Sequence, residues 1–476
     1  MFYRDAADGQ YPRNFRAGPS ATSRATKLDH CQRLSLLVLL GLSVLLVGGP
    51  RPSTAATGNI LFVLADDIGI DMTPFYPLNV RFQTTPPPSA MPNVTALAQR
   101  GVMFKRFWVT PWCSPTRASL LTGRYGFRHG IGRPKTSGLP QLALEEVTLP
   151  EVIASVRPEY VLAHIGKWHV SNEYADPNLQ GWSYYAGPDP RIGQLPSFFT
   201  WTKVVNGVGE PSTTYATIDQ ANEAVSVIRQ AREQDRPFFV WLAFTAPHAP
   251  FRKPPNELHS HDDLPDHDAP NRDIYEAMVE AMDTEIGRVL AEVDLATTTV
   301  IFLGDNGSPM GDVVRAPYDE KKSKGTVYEP GVQVPLVVAG ARVRGRGRIV
   351  LNLTAGVDLF STILDLAGVD PAAPILAGVK TDSVTLLPYL EARPHPAPRK
   401  FLYAEAFTLQ FDGDWQRTAR NGNYALIERY DGTREFYDLK VDPLENTNLL
   451  TRTLTTTEKG NLKGLKRQMD TLLATR

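Results

Sequence analysis

Residues 60–67 read Ile60-Leu61-Phe62-Val63-Leu64-Ala65-Asp66-Asp67: six apolar residues without polar alternation, then two adjacent carboxylates. A strand with one face in water alternates apolar and polar side chains. A short unbroken apolar run instead reads as a strand covered on both faces, as in a parallel sheet flanked by helices. Four further runs share the pattern: 161–165 (VLAHI), 238–244 (FFVWLAF), 299–303 (TVIFL) and 334–339 (VPLVVA). All five are expected to be buried parallel strands. Helical patterns lie between them. The clearest is the stripe Tyr275, Met278, Val279, Met282, Ile286, Val289 and Leu290, which keeps one helix face apolar. Segments 91–101, 217–234 and 357–367 read as further helices. The expectation is an α/β fold with a large, mainly parallel sheet sandwiched by helices.

The last quarter of the chain changes character. Past the Pro- and Ala-rich stretch 391–398, short strands at 424–429 and 435–439 flank the turn pair Asp431-Gly432, and a helix is expected over 457–473. This predicts a smaller C-terminal α+β subdomain of antiparallel strands. The division read from the sequence is a leader at 1–57, a catalytic domain at 58–375 and a C-terminal subdomain at 376–476.

The chain has 476 residues, is 42% hydrophobic and 21% charged, and carries a formal net charge of -1. That balance gives no footprint for nucleic acid or for an anionic membrane surface, both of which call for a basic excess. The N-terminus stands apart. Residues 1–33 are polar and partly basic, and 34–49 (LSLLVLLGLSVLLVGG) are apolar and uncharged. The run is shorter than the roughly 20 residues of a comfortable membrane span. Small residues Ser53, Thr54, Ala55 and Ala56 follow, so the segment reads as a signal peptide, or as a signal anchor if it stays uncleaved. The expected location is therefore exported, periplasmic or secreted, with membrane attachment only through 34–49. Cleavage near Ala56 would remove Cys31 and leave Cys113, the other of the two cysteines, without an intramolecular partner.

Ligands of open parallel sheets bind beyond the carboxyl ends of the strands. Here those ends deliver Asp66-Asp67, then Gly166-Lys167-Trp168-His169, then Thr245-Ala246-Pro247-His248, then Gly304-Asp305-Asn306-Gly307. Buried carboxylates that converge need compensating positive charge. An all-oxygen set of Asp66, Asp67, Asp305 and Asn306 suits a hard divalent cation, Ca²⁺ or Mg²⁺, and no His/Cys set of zinc type is present. The aromatic group Trp182, Tyr184 and Tyr185 reads as core rather than as a substrate pocket.

The second informative stretch is 113–124, CSPTRASLLTGR. Pro115 suits the first turn of a helix, and Gly123 suits its end. Cys113 then sits at a helix N-terminus, where free N–H groups favour an anion, with Arg117 one turn further on. Three readings stay open from the residues alone: a thiolate nucleophile, a precursor of another group, and an inert buried cysteine. The Cys-x3-Arg spacing counts against a thiolate phosphatase, which uses Cys-x5-Arg.

CSPTRASLLTGR closely resembles the signature of the type I sulfatases, members of the alkaline-phosphatase-like superfamily. Five further segments resemble elements of that family in order: NILFVLADDIG, HIGKWH, APHAPF, FLGDNG and the lysine-bearing KGTVYE from Lys324. RTARNGNYALI and EFYDLKVDPLENTNL resemble its C-terminal part, so the likeness spans about 59–450. Thr116 stands where Ser is commoner, and Pro330 stands where Gly is usual, beside the loop that carries Lys324.

The resemblance implies conversion of Cys113 to Cα-formylglycine by a formylglycine-generating or equivalent maturation enzyme. It implies Ca²⁺, or Mg²⁺, held by Asp66, Asp67, Asp305, Asn306 and residue 113. A hydroxyl of the hydrated aldehyde would attack the sulfur of a sulfate ester, either an aryl sulfate or a sulfated carbohydrate. Arg117 would serve the oxyanion and Lys167 a sulfate oxygen. Lys324 and His248 would stabilise sulfate charge and protonate the leaving group. His169 would take the proton that releases sulfate, and Arg124 would support the turn at residue 113. A phosphonate monoester or phosphodiester hydrolase, and a silent member that binds sulfated glycans, are the rival readings.

Overall fold

The structure is a computed structural model, which describes residues 58–76, 87–134, 139–265, 271–395, 397–408 and 414–476. The leader 1–57, with its expected signal or anchor segment, lies outside the described residues, as do 77–86, 135–138, 266–270, 396 and 409–413. No helix among the described residues is long and apolar enough to cross a membrane.

The run at 60–65 forms β1 (Asn59–Ala65). It lies in the middle of a ten-stranded sheet with β2 (Val102–Phe104), β4 (Val161–Gly166), β5 (Tyr184–Pro188), β6 (Trp201–Val205), β7 (Val208–Ser212), β8 (Phe238–Ala243), β9 (Thr298–Gly304), β10 (Leu336–Gly340) and β11 (Arg348–Val350). The order is β11-β2-β10-β9-β1-β8-β4-β5-β6-β7. The central pairs β9–β1, β1–β8, β8–β4 and β4–β5 are all parallel. Along β1, Ile60, Phe62 and Leu64 join one core, and Leu61, Val63 and Ala65 join the other. Both faces are therefore covered, and this is why the run carries no polar alternation. Helices Ala216–Glu233 and Asn271–Leu290 contribute to the second core. Helices Cys113–Thr122 and Asp358–Leu366 contribute to the first.

One strand runs against expectation. The segment at 334–339 forms β10, antiparallel to both β9 and β2. A parallel neighbour needs a crossover that carries the chain back to the starting edge. Between Gly304 and Leu336 the chain makes only a 3-10 turn at Glu320–Lys322 and a short helix at Glu329–Val332, and Leu336 pairs with Leu303. The chain thus stays at the carboxyl edge and must return in the opposite direction. The segment 171–215, outside the five apolar runs, also holds strands. β6 and β7 form a hairpin about Asn206-Gly207, both at positive φ (45° and 83°) as a two-residue hairpin turn requires.

The C-terminal part forms a four-stranded antiparallel sheet in the order β13 (Leu402–Phe407), β14 (Trp415–Arg420), β15 (Tyr424–Arg429) and β16 (Arg434–Asp438). Helix Thr456–Leu473 packs on it through Leu465 and Met469. The same apolar cluster takes in Trp108 from β3 (Phe107–Trp108), which pairs with β12 (Thr354–Ala355), together with Tyr125 and Phe127, which ties the small sheet to the residues flanking Cys113. Trp182 and Tyr185 are core residues packed around the His164 ring.

Candidate active site

The carboxyl ends of β1 and β9 are locked together. The Asp305 amide donates to the Ala65 carbonyl at 3.0 Å, and the Asp67 amide donates to Asp305 Oδ1 at 3.0 Å. Asp67 adopts φ +66°, a region costly for a residue with a Cβ. Its carbonyl accepts the Tyr275 hydroxyl at 2.6 Å, and its Oδ1 accepts Asn306 Nδ2 at 2.7 Å.

Cys113 opens the helix Cys113–Thr122, and Gly123 closes it at φ +67°. All ten residues of the helix are buried. Cys113 Sγ is 3.2 Å from His169 Nδ1, and Ser114 Oγ donates to the His169 carbonyl at 2.7 Å. His169 also has positive φ, +61°. One turn along the helix, Arg117 donates through Nε (3.2 Å) and Nη2 (2.8 Å) to Asp305 Oδ2, and through Nη1 to the Lys167 carbonyl at 2.5 Å. Lys167 Nζ lies 2.5 Å from Asp66 Oδ2, and Lys324 Nζ 2.5 Å from Asp67 Oδ1. His248 Nε2 approaches Asp67 Oδ2 at 3.7 Å. All ten residues singled out from the sequence therefore fall in one cluster: Asp66, Asp67, Cys113, Arg117, Lys167, His169, His248, Asp305, Asn306 and Lys324.

Of the neighbouring lysines, Lys324 faces the cluster, whereas Lys322 donates to the Glu445 carbonyl at 2.6 Å. Arg124, just past the helix end at Gly123, pairs with Glu146 at 3.4 Å and donates to the Arg128 carbonyl at 3.4 Å. Several neighbours were not read from the sequence. Tyr275 looked like one more apolar position of a helix stripe. Gly193 packs its backbone against the His169 ring, where an added Cβ would stand 2.3 Å from Cε1 and Nε2. Trp112 lies under Lys324 Nζ at 5.8 Å, and Gln416 of β14 donates to the Gly325 carbonyl at 3.1 Å. Gly193, Trp112 and Gln416 belong to no periodic pattern, so no local signal marks them.

The electrostatics follow from burial. Asp66, Asp67 and Asp305 are 0%, 2% and 0% exposed. Burial, and then the Asp305 charge, push Asp66 up to about 8 despite Lys167 and Arg117. Burial would raise Asp67 as well, but Lys324, His248 and Lys167 outweigh it and hold this carboxylate well below the usual range. Burial pushes the Cys113 thiol up in spite of Lys167 and Lys324, which disfavours the thiolate reading. His248 is pushed down to about 3, chiefly by burial, and is neutral near pH 7.

The donor set fits a hard cation. Asp66 Oδ1 and Asn306 Oδ1 are buried without a hydrogen-bond partner. Such orphaned oxygens are costly unless something positive meets them. Among the described residues, Asp66, Cys113 and Asp305 converge closely enough to hold an ion, as do Asp66, Asp67 and His248. His248 had not been counted among the donors.

Comparison with known proteins decides the family. The family model described as Sulfatase matches residues 58–369. This chain belongs to the sulfatase family. The sulfatase is 25% identical over 401 residues to the uncharacterized sulfatase YdeN of Escherichia coli (strain K12), covering 74% of this chain and 69% of that protein. It is 27% identical over 417 residues to the N-acetylgalactosamine-6-sulfatase of Rattus norvegicus, covering 79% and 73%. In fold it is similar to Ps i-CgsB solved in complex with k-i-k-neocarrahexaose, at TM-score 0.73 and 22% identity, covering 88% of this chain and 93% of that one. As a member of this family the sulfatase is a hydrolase, with its polar cluster at the carboxyl edge of an alkaline-phosphatase-like sheet.

Proposed function

We propose that this sulfatase hydrolyses sulfate esters of carbohydrates through a Cα-formylglycine formed from Cys113 and a Ca²⁺ ion, with Mg²⁺ as the alternative metal. The observation that carries the reading is the convergence of Cys113, Arg117, Lys167 and Lys324 on three buried carboxylates, in a chain that matches the sulfatase family model. Support for a carbohydrate substrate comes from the rat relative, an N-acetylgalactosamine-6-sulfatase, and from the structural neighbour bound to k-i-k-neocarrahexaose.

Asp66, Asp67, Asp305 and Asn306 would hold the cation, together with residue 113. The cation supplies positive charge to a sulfate oxygen, and the hydrated aldehyde at 113 supplies the attacking hydroxyl. Arg117, fixed on Asp305, keeps positive charge beside residue 113. Lys167 and Lys324 each hold an ammonium at the cluster and are placed to receive sulfate oxygens, which carry the charge of the transition state. Lys324 and His248 stand on the Asp67 side, where a proton must reach the leaving oxygen. His169 Nδ1 faces the residue 113 side chain and is placed to take the proton whose loss frees sulfate.

The maturation enzyme acting on Cys113, export through the segment 34–49 with or without cleavage, and the division at 57/58 and 375/376 belong to the same proposal. The test is turnover of sulfated sugars and aryl sulfates by protein from its native host, with the mass of the tryptic peptide around Cys113 measured alongside. The expected result is turnover, a peptide lighter than the thiol form, and loss of activity in Cys113→Ala. Full activity in Cys113→Ala, or a strong preference for aryl phosphodiesters, would overturn it.

A further inference from the structure

A second cavity, of about 430 Å³, shares no residue with the active-site cluster. Its walls are the residues that follow β2 and β11, the β14–β15 turn and the segment after β16, so the small sheet closes it over the edge of the large one. The volume falls in the range of small-ligand pockets.

Its charge is one-sided. Lys105, Arg106, Arg420 and Lys440 line it against a single carboxylate, Glu329. Arg420 is only 6% exposed and contacts Glu329 Oε1, while its guanidinium lies 5.6 Å over the Trp108 ring. Trp108 Nε1 donates to the other Glu329 oxygen at 3.0 Å, so the sole acid is fully engaged behind the cavity wall. Among the described residues, the side chains of Lys105, Arg106 and Lys440 have no ion pair or hydrogen bond. Burial and then the Arg106 charge work against the Arg420 cation, while Glu445 and the Glu329 contact favour it, so the excess positive charge of the cavity rests on Lys105, Arg106 and Lys440. Gathering like charges in a concave site is costly unless an anion answers them. Guanidinium forks match tetrahedral oxyanions.

We propose that this cavity is a second oxyanion site, taking a sulfate or phosphate group, with Arg106 and Lys105 as direct ligands and Arg420 as the buried counter-charge. The group arrives either as the free ion, inorganic sulfate being the reaction's own product, or as an ester on a sugar. The site does not depend on the state of residue 113.

The test is crystallography of the full chain with selenate, paired with calorimetric titration of inorganic sulfate and of a monosaccharide sulfate. The expected result is an anomalous selenium peak beside Arg106 that persists in Lys324→Ala. Arg106→Gln should weaken this binding about tenfold, the scale of one lost charged hydrogen bond. Lys440→Gln, at an exposed position that leaves folding intact, should weaken it less. Tighter binding of the sugar sulfate would assign the ester as ligand, and tighter binding of inorganic sulfate would assign the ion. Selenium density confined to the active-site cluster, or titrations unchanged in both cavity variants, would overturn the proposal.

Discussion

Cys113 Sγ and His169 Nδ1 stand 3.2 Å apart, on elements 56 positions apart in sequence. The contact is braced by the Ser114 hydroxyl on the His169 carbonyl. If His169 serves only sulfate release, His169→Ala should still liberate about one equivalent of alcohol in a rapid phase. Steady turnover should then fall by roughly a hundredfold or more, the usual weight of a general base. Rapid-quench kinetics with an aryl sulfate distinguishes this from a variant in which both phases vanish.

Gly193 tests the same imidazole from its other side. A Cβ there would stand 2.3 Å from two ring atoms, so the ring or the loop must shift. Gly193→Ala should lower kcat by about tenfold or more with little change in Tm, since a misplaced base costs rate rather than core packing. An unchanged kcat would show that the ring is not held by this contact.

Metal removal should be visible without any assay of turnover. Three buried carboxylates and the orphaned oxygens of Asp66 and Asn306 would be stabilised by the proposed cation, which binds only the folded chain. Dialysis against EGTA should lower Tm, and Ca²⁺ should restore it in a concentration-dependent way. Asp66→Asn combined with Asp305→Asn should remove the response. A Tm indifferent to EGTA and to EDTA would count against a resident dication.

Acid stability should be governed in part by two buried neutral histidines. Burial, with Arg124 nearby, pushes His129 down to about 3, and burial holds His164 well below its ordinary range. The unfolded chain takes up these protons near pH 6.5, before the folded one does. Their contribution is thus intact above pH 6.5 and is lost as pH falls toward 3, at about 1.4 kcal/mol per pH unit for each histidine. His164 sits among Trp168, Trp182, Tyr185 and Trp241 with no partner for Nδ1. His164→Phe should therefore flatten the fall in unfolding free energy between pH 6.5 and 5 in urea titrations. An unaltered slope would refute the assignment.

Much of the fold was legible because its physical cause is local. An unbroken apolar run reports burial on both faces, and the stripe from Tyr275 to Leu290 reports one buried helix face, so β1, β4, β8, β9 and helix Asn271–Leu290 stand close to where they were read. Strand direction is not a local property. The composition of β10 suits a parallel strand, and only the path of residues 305–335 along one edge makes it antiparallel. The β6–β7 hairpin is a different case, since Asn206-Gly207 between valines is a turn signal carried by the sequence itself.

The sequence by itself determined the chemical inventory of the site and its strand-end placement, because each polar group follows directly on an apolar strand or opens the Cys113 helix. Tertiary structure alone decided the pairings: Arg117 with Asp305, Lys167 with Asp66, Lys324 with Asp67, and His169 against Cys113. It also paired Arg124 with Glu146 and assembled the basic cavity from segments far apart in the chain. Side-chain reach is only a few ångströms, so which charges meet is set by how the sheet edge brings distant residues together, and no window of sequence contains that distance.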